Sequence, residues 1–240
     1  MPAYNAAKTL GMTYHKIPRE VVDDVILVDD ASRDETVRMA RALGMKTHVH
    51  ACNKGYGGNQ KTCYALALRE GAQIVVMIHP DYQYDPGHTG ALIEPILNGQ
   101  YHIMLGSRIR NRHEALAGGM PLYKYLGNRL LTLAENIILG ENLSEYHTGF
   151  QAFDRRVLMR LPLEYFSDDF VFDQQILIAA LREGFRIGEI AVPISYFPEA
   201  SSINLRRSVV YGLKTLEALI LYKLDAWGLY TSAIFARGNV

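Results

Sequence analysis

The chain has 240 residues, 49% of them hydrophobic, and carries 25 basic and 25 acidic side chains. This length and apolar content suit one domain with a sizeable core, and the zero net charge gives no overall field to attract nucleic acid. The two cysteines, Cys52 and Cys63, lack the spacing of a zinc ribbon or a disulfide framework, which indicates a reducing compartment. We therefore expect a cytoplasmic protein that does not bind nucleic acid.

Two features of the sequence concern membranes and the start of the chain. No stretch approaches the roughly 20 apolar residues of a spanning helix, and no signal peptide is apparent. The sequence thus predicts a protein that is neither integral nor secreted. Residues 2–8 read as the end of a strand and a turn into a helix, so we expect a truncated first strand.

Strands alternate with helices along most of the chain. Ser32, with Glu35 three positions later, reads as the cap of the second helix. The predicted strands cover residues 24–30, 46–50, 74–79, 103–108 and 187–196. The predicted helices cover residues 6–14, 32–43, 123–139, 170–182 and 208–230, and a further helix follows the glycine-rich turn 53–60 and ends near Gly71. This alternation predicts an α/β fold with a mostly parallel central sheet flanked by helices. We expect a catalytic domain over residues 1–215 and a helical tail over residues 216–240.

Polar side chains gather where the predicted strands end, which is where α/β sheets bind ligands. The segment His79-Pro-Asp-Tyr-Gln-Tyr-Asp-Pro offers Asp81, Gln83 and His79 as ligands for a diphosphate-bound Mg²⁺ or Mn²⁺. A polar turn held by local hydrogen bonds explains the same segment equally well. Asp29 and Asp30 end another strand, where they could bind a nucleobase or ribose or simply suit a helix N-terminus.

Further candidates are weaker when taken singly. Lys54 lies in the glycine-rich segment 53–60, which lacks the spacing of a Walker loop. Arg108, Arg129 and the pair Arg206-Arg207 could bind phosphate, although most arginines are solvated surface residues. Asp173 could orient or deprotonate an acceptor hydroxyl, whereas Asp168 and Asp169 equally suit the cap of the following helix.

Six short motifs occur in a fixed order along the chain. Together they are far more specific for a protein family than any one of them alone. They are residues 2–5 (Pro-Ala-Tyr-Asn), 28–34 (Val-Asp-Asp-Ala-Ser-Arg-Asp), 53–55 (Asn-Lys-Gly), 79–86, 106–108 (Gly-Ser-Arg) and 148–153 (Thr-Gly-Phe-Gln-Ala-Phe). Together they resemble family 2 glycosyltransferases, and most closely the dolichyl- or undecaprenyl-phosphate mannosyl- and glucosyltransferases. The likeness runs from the N-terminus to about residue 215.

The resemblance implies a glycosyltransferase A-type fold, a UDP- or GDP-sugar donor, Mg²⁺ or Mn²⁺, and inverting transfer to a polyprenyl phosphate or another glycan or lipid acceptor. By position, Pro2, Tyr4, Asn5 and Asp29 or Asp30 would hold the nucleoside. Lys54, Arg129 and Arg206 would also belong to the nucleotide-sugar site. Asp81, Arg108 and Asp173 would serve catalysis, and Asp81 with Gln83 and His79 would bind the metal. His79 stands where the family's metal motif usually opens with an aspartate.

Two other functions remain open on the sequence alone. A nucleotidyltransferase uses a similar strand-end acid with a metal but releases pyrophosphate, and a nucleotide-sugar-binding protein that has lost catalysis would bind without turnover. Contact with the inner face of the cell membrane is a further expectation, because the C-terminal helix is largely apolar. The sequence also leaves self-association open.

Overall fold

The structure is a computed structural model that describes residues 1–108, 120–193 and 205–235. Its N-terminal sheet has three parallel strands in the order β1-β2-β3, namely Pro2–Ala3, Ile26–Asp29 and Lys46–Val49. Leu27 and Val28 of β2 are fully buried, as expected for a central parallel strand. The first strand is two residues long and pairs with Val28 and Asp29.

The second sheet has four strands in the order β4-β6-β5-β7. These strands are Ile74–Met77 (β4), Ile103–Ser107 (β5), Gln151–Asp154 (β6) and Ile187–Ala191 (β7). β5 and β7 are parallel, whereas β6 runs antiparallel to both β4 and β5. β6 is not predicted from the sequence, because a four-residue strand followed at once by a helix gives too little periodicity to be recognised.

Eight α-helices flank these sheets within the described residues. They are Leu10–His15 (α1), Thr36–Ala42 (α2), Tyr56–Arg69 (α3), Thr89–Leu97 (α4), Leu122–Leu139 (α5), Arg155–Arg160 (α6), Phe172–Arg182 (α7) and Leu205–Ala226 (α8). Short 3₁₀ turns cover Pro86–His88, Leu163–Tyr165 and Ala233–Phe235. The predicted α/β fold, a parallel sheet flanked by helices, is confirmed, although α4 and α6 were not predicted.

The predicted cap of α2 is wrong. Ser32 lies four residues before the helix, and its Oγ accepts a hydrogen bond from the backbone N–H of Asn5 at 2.8 Å. Asp34 instead bonds the first turn, because its Oδ1 accepts from the N–H of Thr36 at 3.0 Å. The loop between β2 and α2 is therefore bonded to the loop that follows β1.

Helices α5 and α8 pack against each other, and α8 also packs on α7. α5 ends where Gly140 adopts a left-handed conformation with φ of 79°, a common glycine C-cap. α8 is continuous through residue 215, where the sequence analysis divided the chain. None of the helices in the described residues has the length and apolar character needed to cross a bilayer. The C-terminal part of the predicted last strand, residues 194–196, lies outside the described residues.

Candidate active site

A cavity of about 810 Å³ lies beyond the carboxyl end of β4. The loop after β4 forms its polar side, the segment 147–149 and the start of α7 form its floor, and α5 and α8 form its walls. The candidate residues that line it are His79, Asp81, Gln83, Arg108, Asp173 and Arg207. Six candidates from distant parts of the sequence thus meet in one place.

The loop that contains Asp81 and Gln83 is partly organised by those residues themselves. Oδ1 of Asp81 accepts a hydrogen bond from the backbone N–H of Gln83 at 3.1 Å. Tyr82 between them adopts a left-handed conformation with φ of 56°, which is uncommon for a residue with a large side chain. The two residues that flank Tyr82, Asp81 and Gln83, both line the cavity, so the strained backbone lies at the site itself.

The donor set around Asp81 suits one kind of metal site. Within the described residues, no group of three or more His, Cys, Asp or Glu side chains is arranged to hold a metal ion by itself. Mg²⁺ in proteins is usually held by one or two carboxylates together with substrate phosphates and water, so the carboxylate of Asp81 fits an ion that arrives with a diphosphate. The amide oxygen of Gln83 is another hard donor on the same loop.

His79 belongs to a hydrogen-bonded chain that reaches α7. Its Nε2 lies 3.1 Å from the hydroxyl of Tyr56, which donates to Oδ2 of Asp173 at 2.7 Å. Oδ1 of Asp173 accepts from Nε2 of Gln60 at 2.8 Å. Burial lowers the pKa of His79, although the charge of Asp81 acts in the opposite direction. Burial also raises the pKa of Asp173 to about 6, so this carboxyl group is ionised at neutral pH.

Arg108 is paired with a buried acid that the sequence analysis did not single out. Its Nε donates to Oε1 of Glu145 at 2.8 Å, its backbone N–H donates to Oε2 at 2.7 Å, and its guanidinium also donates to the carbonyl of His147. Nδ2 of Asn128 supplies a further bond to Oε1 of Glu145. Because Glu145 is fully buried, most of the positive charge of Arg108 is balanced within the protein.

The predicted nucleoside residues lie at the ends of β1 and β2. Tyr4 is 54% exposed, and Asn5, with φ of 50°, accepts from the N–H of Arg33 through its side-chain oxygen. Asp29 is fully buried: its Oδ2 accepts from Ser32 N–H at 2.9 Å, and its Oδ1 has no hydrogen-bond partner within the described residues. A buried carboxylate oxygen without a partner is costly unless a ligand supplies a donor. Pro2 lies beside these residues in β1.

Asp30 has a different environment from Asp29. Its carboxylate accepts from the N–H of Lys54 at 2.8 Å, the N–H of Gly55 at 3.1 Å, and Nδ1 of the buried His50 at 2.8 Å. The two bonds from Lys54 and Gly55 hold the glycine-rich segment against the end of β2, and the bond with His50 joins the end of β3 to the same carboxylate. Asp30 therefore shapes the loop that starts α3, and the side chain of Lys54 extends from that loop.

Two predicted arginines lie apart from the cavity among the described residues. Nη1 of Arg129 donates to the carbonyl of Ser144 at 2.8 Å, and its side chain is not part of the cavity lining. Arg206 lines a smaller cavity of about 230 Å³ together with Arg207, Lys214 and Asp169. Asp168 pairs with Lys61 at 2.8 Å, and α7 has no side-chain cap, so the predicted capping by Asp168 or Asp169 is wrong.

The walls of the cavity are strongly apolar, and two cationic side chains, Lys124 and Arg207, also line it. Lys124, at the start of α5, is half-buried, and burial together with the nearby Arg108 lowers its pKa. Apolar side chains from both wall helices line the same cavity, namely Leu130, Leu131, Val209, Leu213 and Leu216. The site therefore combines a carboxylate-bearing loop, an ammonium group and an apolar wall.

A second buried network lies behind the floor of the cavity. Nδ1 of His147 lies 2.8 Å from the hydroxyl of Tyr211, and Gln174 donates to that hydroxyl at 2.8 Å. On the other side of the ring, Nε2 of His147 lies 3.2 Å from Oε2 of the fully buried Glu135. This network joins α5, α7 and α8 at the segment that supports the cavity floor. His147 is thus hydrogen-bonded at Nδ1, whereas its Nε2 faces a buried carboxylate.

Several residues of this site are not predicted from the sequence. Tyr56 lies inside the glycine-rich segment, which was considered for its glycines and Lys54, and Glu145 lies three residues before the motif at 148–153. Lys124 carried no local signal, because a lysine at a helix start is ordinarily solvated. An acid three residues before the motif at 148–153, together with an arginine at a strand end, is the signal that could have indicated the Arg108–Glu145 pair.

The sequence of this chain is similar to those of known glycosyltransferases. The profile described as "Glycosyl transferase family 2" matches residues 1–161. The UDP-N-acetylglucosamine–dolichyl-phosphate N-acetylglucosaminyltransferase of Methanococcus voltae is 28% identical, over 93% of this chain and 94% of that protein. The dolichyl-phosphate beta-glucosyltransferase ALG5D of Trichomonas vaginalis is 22% identical, over 95% of this chain and 74% of that protein.

A solved structure has a similar fold. Glucosyl-3-phosphoglycerate synthase from Mycobacterium tuberculosis superposes with a TM-score of 0.71 at 20% identity, covering 100% of this chain and 84% of that one. Another crystal structure of that synthase contains Mn²⁺, UDP and glucosyl-3-phosphoglycerate. At this level of identity the superposition shows a shared fold.

Proposed function

This chain belongs to glycosyl transferase family 2 and is a glycosyltransferase, and from that premise we propose that it transfers a hexose from a UDP-sugar, with inversion, to a polyprenyl phosphate. The observation that carries the proposal is the composition of the cavity, in which the loop of Asp81 faces walls of leucine and valine from α5 and α8. A water-soluble acceptor would gain little from such walls, whereas an isoprenoid chain would bury apolar surface against them.

The donor would bind between the ends of β1 and β2 and the loop after β4. Asp29 supports this assignment, because its buried Oδ1 needs a donor that a nucleobase or ribose can supply. Tyr4 offers an exposed ring beside it. We propose UDP rather than GDP, in line with the Methanococcus voltae relative, whose name specifies a UDP-sugar.

Asp81 and Gln83 would hold Mg²⁺ or Mn²⁺ together with the diphosphate, and His79 is a third candidate ligand. The bound ion would supply positive charge to the departing diphosphate. The protein needs such a source, because Glu145 balances most of the charge of Arg108. Arg108 would thus orient the site through its bond to the carbonyl of His147 rather than act as an unpaired cation.

The acceptor phosphate would lie near Lys124, whose ammonium group lines the cavity among apolar side chains. An oxygen of this phosphate attacks the anomeric carbon of the sugar, and the bond to the nucleoside diphosphate breaks. A phosphate monoester is already ionised at neutral pH, so the reaction needs no general base, and the protein acts by positioning and charge stabilisation. Asp173 would then serve the structure of the site through Tyr56 and Gln60.

We also propose that the protein binds a membrane surface through the faces of α5 and α8 that adjoin the cavity. Exposed apolar residues recur at helical spacing on both helices: Leu122, Leu126, Leu130, Leu133 and Ile137 on α5, and Leu205, Val209, Leu213, Leu216 and Ile220 on α8. Basic residues accompany them, among them Lys124, Arg206 and Lys214. A polyprenyl phosphate resides in a membrane, so a cavity next to this apolar face would receive its acceptor without extracting it into water.

Calorimetric titration tests the donor site. UDP-glucose, UDP-N-acetylglucosamine and GDP-mannose are titrated with and without Mn²⁺ or Mg²⁺ into the wild type, Asp81→Ala and the control Asp23→Ala, an exposed acid outside the cavity lining. We expect metal-dependent binding of a UDP-sugar that Asp81→Ala loses and Asp23→Ala keeps. Absence of binding to the folded wild type would overturn the donor assignment.

Turnover tests the acceptor. With the donor that binds, a short-chain polyprenyl phosphate should yield a lipid-linked hexose and free UDP, whereas a nucleotidyltransferase would release pyrophosphate. Lys124→Ala should raise the KM for the lipid phosphate and leave the donor affinity unchanged. Transfer to water-soluble phosphates at equal efficiency would contradict a role for the apolar walls.

A further inference from the structure

The hydroxyl of Tyr56 has two polar neighbours but a single proton. It lies 2.7 Å from Oδ2 of Asp173 and 3.1 Å from Nε2 of His79. A carboxylate can only accept hydrogen bonds, so the phenol donates its proton to Asp173. The phenol oxygen is then an acceptor toward His79, which must carry a proton on Nε2.

The two edges of the His79 ring have different surroundings. A Cβ placed on Gly149 would lie 2.6 Å from Cδ2 and 2.8 Å from Nε2 of His79, so the backbone at Gly149 covers this edge. The ring also stacks on Tyr56, with centroids 5.3 Å apart and planes 22° from parallel. Nδ1, on the opposite edge, has no hydrogen-bond partner among the described residues, and the side chain lines the cavity with Asp81.

Resting on the proposed function, we propose that Tyr56 is a positioning residue that holds His79 in the Nε2–H tautomer, so that Nδ1 is the nitrogen ligand of the divalent ion bound with the UDP-sugar. Metal-binding histidines ordinarily donate their second N–H to a fixed acceptor, which sets the tautomer and the ring orientation. The Tyr56 hydroxyl is that acceptor, and Asp173 and Gln60 fix it in turn from the far side. The ion therefore has one nitrogen ligand beside the oxygen of Asp81.

A nitrogen ligand has a consequence for metal choice. Imidazole binds Mn²⁺ and later transition ions more readily than Mg²⁺, which prefers oxygen alone. With UDP bound, the wild type should therefore prefer Mn²⁺ over Mg²⁺ more strongly than a variant that lacks the nitrogen ligand does. Tyr56→Phe keeps the stacked ring but removes the acceptor, whereas Tyr64→Phe removes a hydroxyl at the other end of the same chain, where it donates to Gln60.

The first measurement is nuclear magnetic resonance of the full chain labelled with ¹⁵N-histidine, at about pH 8, where Asp173 is ionised. His79→Asn identifies the His79 signals by difference. In the wild type and in Tyr64→Phe we expect a protonated Nε2 and an unprotonated Nδ1. Tyr56→Phe should give a mixture of the two tautomers. A wild type with the proton on Nδ1, or a tautomer that Tyr56→Phe leaves unchanged, would overturn the inference.

The second measurement is pulsed electron paramagnetic resonance of Mn²⁺ bound with UDP, which detects a directly coordinated ¹⁴N. We expect this coupling in the wild type and in Tyr64→Phe, a weaker one in Tyr56→Phe, and none in His79→Asn. If Mn²⁺ binds with UDP but shows no nitrogen coupling, the inference fails while the proposed donor site stands. If Mn²⁺ and UDP do not bind at all, the proposed function fails first.

Discussion

The backbone of Gly149 lies against the edge of the His79 ring, where a Cβ at position 149 would stand 2.6 Å from His79 Cδ2. No side chain other than hydrogen fits there without displacing the imidazole. The segment that closes the cavity floor and the segment that would hold the metal are thus in direct contact. A change in one is transmitted to the other.

Gly149→Ala should therefore lower activity by moving His79 rather than by unfolding the protein. A displacement of about 1 Å at a catalytic centre can cost as much as about a hundredfold in rate. We expect a ten- to hundredfold fall in kcat/KM, measured as UDP release. The control is Gly90→Ala in α4, where an added Cβ meets only Val21 at 4.0 Å. Equal activity of the two variants would contradict the contact.

Glu145→Ala should destabilise the fold strongly. The carboxylate is fully buried and accepts from both the backbone and the side chain of Arg108, so its removal leaves a guanidinium without its counter-charge. Breaking a buried pair in this way costs about 3–5 kcal/mol in free energy of unfolding. Urea unfolding of the variant and the wild type measures this loss in the free energy of unfolding. Glu217→Ala, which removes an exposed partner of Lys214, should change the free energy by about 0.5 kcal/mol or less.

The stability difference between Asp173→Asn and the wild type should depend on pH. Burial raises the pKa of Asp173 from 3.8 to about 6, so the folded protein binds this proton more tightly than the unfolded chain does. The raised pKa therefore favours folding at low pH, and this advantage is lost as the pH rises through 6. The asparagine variant lacks the penalty, so its stability relative to the wild type should increase between about pH 4 and pH 6 and then level off.

The full effect cannot exceed about 3 kcal/mol, since each unit of pKa shift corresponds to about 1.4 kcal/mol. Urea unfolding of both proteins at several pH values between about 4 and 8 measures the difference. A difference that stays constant over this range, or that falls with rising pH, would contradict the assignment of the raised pKa to Asp173.

The apolar face of α5 should govern membrane binding separately from donor binding. Leu126 and Leu133 are about half exposed on this face and do not line the cavity. The double variant Leu126→Asp, Leu133→Asp should reduce co-sedimentation with anionic vesicles by at least about tenfold, because each buried leucine contributes about 1.5–3 kcal/mol. Its affinity for the UDP-sugar should not change.

The control for the membrane variant is Leu97→Asp at the end of α4. Leu97 is as exposed as any leucine of the face, at 68%, but lies on a different helix. The Leu97→Asp variant should bind vesicles as the wild type does. If the double variant also binds like the wild type, the face does not contact lipid, and the acceptor must reach the cavity by another route.

The sequence allowed prediction of those parts of the site that are local in the chain. Asp81 and Gln83 follow a buried strand directly, and Asp29 ends another, so their place at the edge of the sheet follows from strand polarity. The partners of these residues could not be predicted in the same way. Tyr56 and Asp173 are 117 residues apart, and Arg108 and Glu145 are 37 apart. Which residues meet depends on how distant segments of the chain pack together, and no periodicity of a single sequence encodes that packing.

The same limit explains the errors in the fold. The antiparallel β6 has four residues, too few for an alternating pattern, and is recognisable only by its neighbours β4 and β5. Ser32 has the local signature of a helix cap, but its hydroxyl instead accepts a hydrogen bond from the backbone N–H of Asn5, 27 residues away in the chain. In both cases a tertiary contact determined the outcome against the local signal.

The order in which the cavity residues occur along the chain affects biosynthesis. The loop of Asp81 and the β1-β2-β3 sheet lie in the first half of the sequence, whereas α8, one wall of the cavity, begins at Leu205. During translation the N-terminal segments emerge and fold first. A nascent chain that has not yet released α8 from the ribosome thus carries the loop of Asp81 but lacks one wall of the cavity. On the proposed function, a lipid acceptor can be bound only after residues 205–226 have left the ribosome.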